Sequence, residues 1–249
     1  MIMASAPHRA PADAAERHGK CEDGKPRTVR RDAMPTHAEL RNAFKALPVA
    51  DTPDAWRVRV HRALSWLGRA DAETDDADAR FVFLWISLNA AYAREIGLGE
   101  GERARLREFL GRLVALDAGG RIHQALFVQF SGPIRTLIDN KYVYQPYWTA
   151  QQNWDRNESW REGFEASRKV ALRALMDKDT VRVLSIVFDR LYVLRNQLVH
   201  GGATWNGAVN RQQVRDGVAF LGTLLPLLLE LMIAHPGEDH GEILYPVVA

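Results

Sequence analysis

The stretch Asp179-Thr180-Val181-Arg182-Val183-Leu184-Ser185-Ile186-Val187-Phe188-Asp189-Arg190-Leu191-Tyr192-Val193-Leu194-Arg195-Asn196-Gln197-Leu198-Val199-His200, closed by Gly201-Gly202, decides the fold class. At one residue per 100° of helix, Leu184, Phe188, Leu191 and Leu198 fall within roughly 60° of Arg195. The stretch is therefore an amphipathic helix, started by Asp179 or Thr180 and stopped by the glycine pair. Arg195 lies on its apolar stripe, where a guanidinium is costly unless an anion or a hydrogen-bonding partner meets it. His200 lies roughly 140° round the helix from Arg195 but one turn past Asn196, so the amide can steer the imidazole.

Outward from this helix the same periodicity recurs. Thr36 and Glu39 form a capping box ahead of Leu40, Phe44 and Leu47. Thr52 is expected to cap a second helix, with Pro53 in its first position and Trp56, Val60, Leu64 and Leu67 on its buried face. The acidic run Asp71 to Asp78 reads as a solvated loop entering a helix N-terminus, although the pair Asp75-Asp76 also has the chemistry of a metal site. Arg80 to Ile96 is apolar nearly all round and predicts a central helix, in which Asn89 needs a helix-to-helix partner. Gly97 and Gly99 break the chain before a helix marked by Leu106, Phe109, Leu110 and Leu113. Two short helical pieces follow over Ile122–Phe130 and Pro133–Ile138.

Asn140 to Trp148 alternates aromatic and polar residues around Pro146 and is expected to be extended or looped. Its aromatics beside Lys141 can stack unpaired bases or simply pack a loop onto helices. A helix is expected over Glu158–Leu175, and Asn210 with Gln213 resembles a cap for a long last helix running to Ile233. Ile243 to Ala249 reads as extended. The expected architecture is all-helical: a loose tail over 1–34 with Met34 as a candidate start, then one helical domain over 35–249.

The totals narrow the function classes. The formal charge of +2 gives no global field for nucleic acid, but Val181 to Asp216 carries a local +3, to which Arg190 and Arg211 contribute. Lys141, Arg190, Trp205 and Arg211 are therefore candidate RNA contacts. A single cysteine, Cys21, excludes an internal disulfide and any cysteine-cluster zinc site, and with no apolar leader the expected compartment is the cytoplasm. The eight histidines are scattered without H-E-x-x-H spacing, so neither a metal nor another cofactor is expected. Val218 to Ala234 is at the short edge of membrane-spanning length and contains Pro226 and Glu230, so it is expected to be a core helix.

Arg31 and His37 repeat nearly the arginine-to-histidine spacing of Arg195 and His200, but they straddle Pro35 and share no rigid element. Arg195-Asn196-Gln197-Leu198-Val199-His200 resembles the signature of the HEPN domain family, an arginine and a polar residue followed by a histidine. The segments Phe83 to Tyr92, Leu194 to Trp205 and Tyr245-Pro246-Val247-Val248 resemble a bacterial HEPN group with an Apea-like domain. The resemblance implies a HEPN-like helical bundle with additional N-terminal helices. It also implies a homodimer whose two arginine-histidine helices line one cleft. Many members are metal-independent endoribonucleases acting as toxins, often with an antitoxin, or in phage defence; others are inactive and bind RNA or a protein. By position, Arg195, Asn196 and His200 take the catalytic roles. His200 can act as base or acid, Arg195 can grip phosphate with two N–H groups, and Asn196 can orient either. The plain structural alternatives are a histidine capping a helix end and an arginine in a buried ion pair.

Overall fold

The computed structural model describes residues 34–93, 101–155, 158–241, 243 and 245–246. The expected tail, apart from Met34, lies outside these residues, as do Gly97, Gly99 and most of the closing segment. Among the described residues every regular element is helical. The ten α-helices are α1 (His37–Ala46), α2 (Asp54–Asp71), α3 (Ala77–Tyr92), α4 (Glu102–Leu116), α5 (Arg121–Gln124), α6 (Ser131–Asp139), α7 (Gln145–Gln152), α8 (Trp160–Met176), α9 (Thr180–Val199) and α10 (Arg211–Ala234).

Helix α3 is the centre of the bundle because its sequence leaves it almost no polar face. Phe81, Leu84, Trp85, Leu88 and Ala91 are at most 2% exposed, and α2, α10 and α9 all pack against it. Small residues set how closely they approach. Ser87, wholly buried, donates its hydroxyl to the Ala63 carbonyl at 2.6 Å, which ties α3 to α2 without an orphaned polar atom. Gly217 of α10 faces the Phe81 ring so closely that a Cβ there would sit 2.7 Å from Phe81 Cε2 and 3.2 Å from Leu191 Cδ2. Any larger residue at 217 would force α10 off both α3 and α9.

Helix α10 has a mean hydropathy of 2.1 over its most apolar window, enough by length and composition to cross a membrane. Its Phe220, Leu221, Leu224, Leu225, Leu228, Leu229 and Met232 are nonetheless buried in the common core, as expected for Val218–Ala234. Between α5 and α6 the chain widens into a π-turn over Ala125–Gln129, with Phe130 N–H reaching back five residues to the Ala125 carbonyl at 2.9 Å.

The Thr36–Glu39 capping box and the Asp179 cap form as the sequence predicts. Other local expectations are corrected. Thr52 does not cap α2; its hydroxyl turns back to the Pro48 and Val49 carbonyls, and α2 starts at Asp54. Asn140–Trp148, expected to be extended or looped, is mostly helical: Lys141–Val143 is a 3-10 turn, and Pro146 sits in the first turn of α7, where its missing N–H costs nothing. The aromatics of this segment, Tyr144 and Tyr147, pack with Trp160, Phe164 and Ala150 in a separate small cluster. Asn210 precedes α10 in the left-handed conformation and makes no side-chain cap. Asn89 Oδ1 is buried with no hydrogen-bond partner among the described residues.

Candidate functional site

Helix α9 delivers the motif to one end of the bundle. After Val199 the helix stops: His200 N–H bonds the Asn196 carbonyl at 3.0 Å, Gly201 takes φ 71°, and Ala203 N–H closes onto the Gln197 carbonyl at 2.9 Å. Glycine takes this left-handed turn without the clash a Cβ would bring. His200 is exposed at the helix end.

Arg195 faces the opposite way, into the helix packing. Its guanidinium carbon lies 4.5 Å from the Tyr192 ring centroid and 5.4 Å from that of Trp85. Trp85 is itself packed edge-on to Phe188 and Tyr192. The apolar stripe therefore meets the arginine with aromatic faces, whose quadrupoles attract a cation. Asn196 Oδ1 is buried and has no hydrogen-bond partner among the described residues, so the amide oxygen is uncommitted beside the arginine.

Gln197 is the connector that sequence reasoning missed. Its Nε2 donates to the Tyr142 carbonyl at 2.7 Å, and its Oε1 accepts from Asn210 Nδ2 at 2.9 Å. These bonds join the end of α9 to the turn before α7 and to the start of α10. An open depression of about 800 Å³ lies along this junction, lined by Asn140, Lys141, Tyr142, Asn210 and Gln213 among others. Lys141 holds its ammonium over three rings, 5.2 Å from Tyr142, 5.3 Å from Tyr147 and 5.8 Å from Trp160.

The loop from Gly201 to Asn210 is anchored on the N-terminus of α3. Asp76 caps α3 through Ala79 N–H at 3.0 Å and also accepts the Trp205 indole N–H at 2.7 Å. Those two hydrogen bonds, the backbone one first, hold the Asp76 carboxyl below its ordinary pKa. Asp78 takes both guanidinium nitrogens of Arg211, each at 2.9 Å, and the Asn206 N–H at 2.8 Å.

Placement sorts the four candidate RNA contacts. Lys141 lines the open depression, and Trp205 is 70% exposed with its ring face available. Arg211 is placed as an anchor, with Asp78 occupying its planar fork. Arg190 is turned inward: it is 3% exposed, lies 4.6 Å from the Tyr144 ring centroid and donates to Ser167 Oγ at 3.1 Å. Burial draws its pKa down. The acidic run is only partly solvated, since Asp78 is 6% exposed. Its sequence signal was the pair of aspartates two apart at a helix start, one able to cap and one able to face inward.

Among the described residues no group of three or more histidine, cysteine or acidic side chains is placed to hold a metal ion. No protein-family model matches this chain, and no curated protein or solved structure matches it either.

Proposed function

We propose that this protein is a HEPN-type endoribonuclease that works as a homodimer and leaves 2′,3′-cyclic phosphate ends. The observation that carries this reading is the construction of the α9 terminus. An exposed His200 stands one turn beyond Asn196, whose buried Oδ1 has no hydrogen-bond partner among the described residues, and Arg195 is held half-buried on aromatic faces. In such a reaction the ribose 2′-oxygen attacks phosphorus, its proton passes to a base, and the departing 5′-oxygen receives a proton from an acid. One His200 from each of two copies supplies the two roles, and Arg195 offsets the charge that builds on the phosphoryl oxygens. RNA would enter along the depression beside Lys141, with Trp205 as a stacking face. A toxin or phage-defence setting, with an antitoxin or regulatory protein as a further partner, belongs to the same proposal.

A second reading, a HEPN-like dimer that binds RNA or a protein without cutting, is favoured by one observation. The Arg195 guanidinium lies over the Trp85 and Tyr192 rings, a placement that also serves packing alone. The test is incubation of the purified chain, His200→Ala and Arg195→Lys with mixed RNA in excess chelator, with end-group analysis of products. The nuclease reading expects cyclic phosphate ends from the unaltered chain, lost in His200→Ala and cut by at least about tenfold in Arg195→Lys, as for one transition-state contact. Equal background in all three overturns it, and retained salt-sensitive RNA binding then selects the second reading.

A further inference from the structure

We propose that the cleft between α1 and α2 is a second binding site, one for the phosphate monoester of a nucleotide, either free or at the 5′ end of an RNA. Neither helix contributes to the α9 motif. His37, Arg41 and Lys45 stand four residues apart along one face of α1, and His61, Ser65 and Gly68 stand at helical spacing on the facing side of α2. The two rows enclose about 340 Å³, with Phe44 and Leu64 forming the apolar part of the wall. That volume is at the small end of the range for organic ligands, which bury most of their surface against a partly apolar lining.

The charge of this cleft has one sign. No carboxylate lines it, and among the described residues His37, Arg41, Lys45 and His61 have neither an ion pair nor a hydrogen bond. Arg41 and Lys45 share a face with each other and with the His37 imidazole. Like charges four residues apart are mildly unfavourable on a helix, so the arrangement costs stability that an anion would return. A Cβ at Gly68 would lie 2.7 Å from His37 Cε1, so glycine lets the His37 ring rest against α2 where it stands. Arg41 offers the planar fork that matches two phosphate oxygens, Lys45 a point charge, and the two imidazoles and Ser65 single donors. The apolar wall suits the organic remainder.

The experiment is calorimetric titration of the full chain with AMP, adenosine, and hexauridylate bearing a 5′-phosphate or a 5′-hydroxyl. Binding of AMP but not adenosine, weakened by about tenfold or more in Arg41→Ala and His61→Gln, supports a free mononucleotide as ligand. Binding of only the 5′-phosphorylated oligomer, with the same losses, supports the same phosphate chemistry supplied by an RNA end. No binding of either phosphorylated probe, or binding that Arg41→Ala, Lys45→Ala and His61→Gln all leave unchanged, overturns the site. Arg41, Lys45 and His61 are exposed, so their variants are expected to fold, and an unchanged thermal midpoint checks this.

Discussion

The two ends of α3 are held by opposite charges, and the opposition separates stability from function. At the N-terminal end Asp76 accepts an open backbone N–H of the helix, Asp76 and Asp78 both stand near the positive end of its dipole, and together they draw in the loop that follows His200. At the C-terminal end a single cation does the matching work. Arg59, 1% exposed, donates to the carbonyls of Ala91 at 3.2 Å and Ala93 at 2.6 Å and to Gly241 at 3.0 Å. Helix ends leave such carbonyls without partners, and a buried end must satisfy them from elsewhere. The N-terminal end is thus coupled to the candidate site, and the C-terminal end to the core and the closing segment.

The largest expected effect breaks the C-terminal end. Arg59→Ala removes three charge-assisted hydrogen bonds and leaves two helix carbonyls in the core, a loss of about 3–5 kcal/mol by analogy with breaking a buried charge pair. Denaturant titration measures it. A loss under about 1 kcal/mol would mean that water replaces the guanidinium, and the contrast between the two ends would fail.

The same end should also respond to acid. His240 is 8% exposed, packs 6.3 Å from the Phe109 ring, and neither ring nitrogen has a hydrogen-bond partner among the described residues. Burial first, then Arg59 and Arg112, lowers its pKa from 6.5 to about 4. The folded state therefore holds a neutral imidazole while the unfolded chain binds a proton below about pH 6.5. Stability is full above that pH, declines as pH falls through the window from about 6.5 to 4, and levels off below it. The sum is on the order of 3 kcal/mol. Comparing denaturation midpoints of the unaltered chain and His240→Phe at pH 7.5 and 4.5 isolates this group. Parallel losses in both proteins would assign the acid sensitivity to other residues.

What the sequence revealed and what it concealed divide along the same physical line. Amphipathic spacing made α9 legible, an all-round apolar run made α3 legible, and local side-chain to backbone bonds made the caps at Thr36 and Asp179 legible. Each of these depends on residues within a turn or two. Arg211 and Asp78 are 133 positions apart, and Arg59 and Gly241 are 182 apart, so no window on the sequence joins them. Arg190 and Arg211 looked like open cations because their tertiary partners were invisible. Asn210 looked like a cap because nothing local shows that Gln197 takes its amide. The motif residues themselves were legible as a motif. That Arg195 lies on the apolar stripe and His200 on another side of the helix followed from their helical angle, but Trp85 as the ring that meets the arginine and Gln197 as the connector did not.

The smallest of the three stability effects tests whether the N-terminal end serves the site. Asp78→Asn keeps the size of the side chain and removes its charge, leaving Arg211, with 17% side-chain exposure, without its ion pair. The expected loss is about 2 kcal/mol, since half of the pair remains partly buried but can reach water. Arg211→Ala alone should cost a similar amount, and the double variant should cost less than the sum, as for two residues in direct contact. The functional consequence is the sharper measure. If Asp78 anchors the Gly201–Asn210 loop for the sake of the α9 terminus, Asp78→Asn should lower RNA cleavage or binding by more than its population of folded molecules accounts for. Arg59→Met, destabilising through the other end of α3, should lower it only in proportion to unfolding. Equal behaviour of the two variants at matched folded fraction would show that the ends of α3 differ in charge but not in purpose.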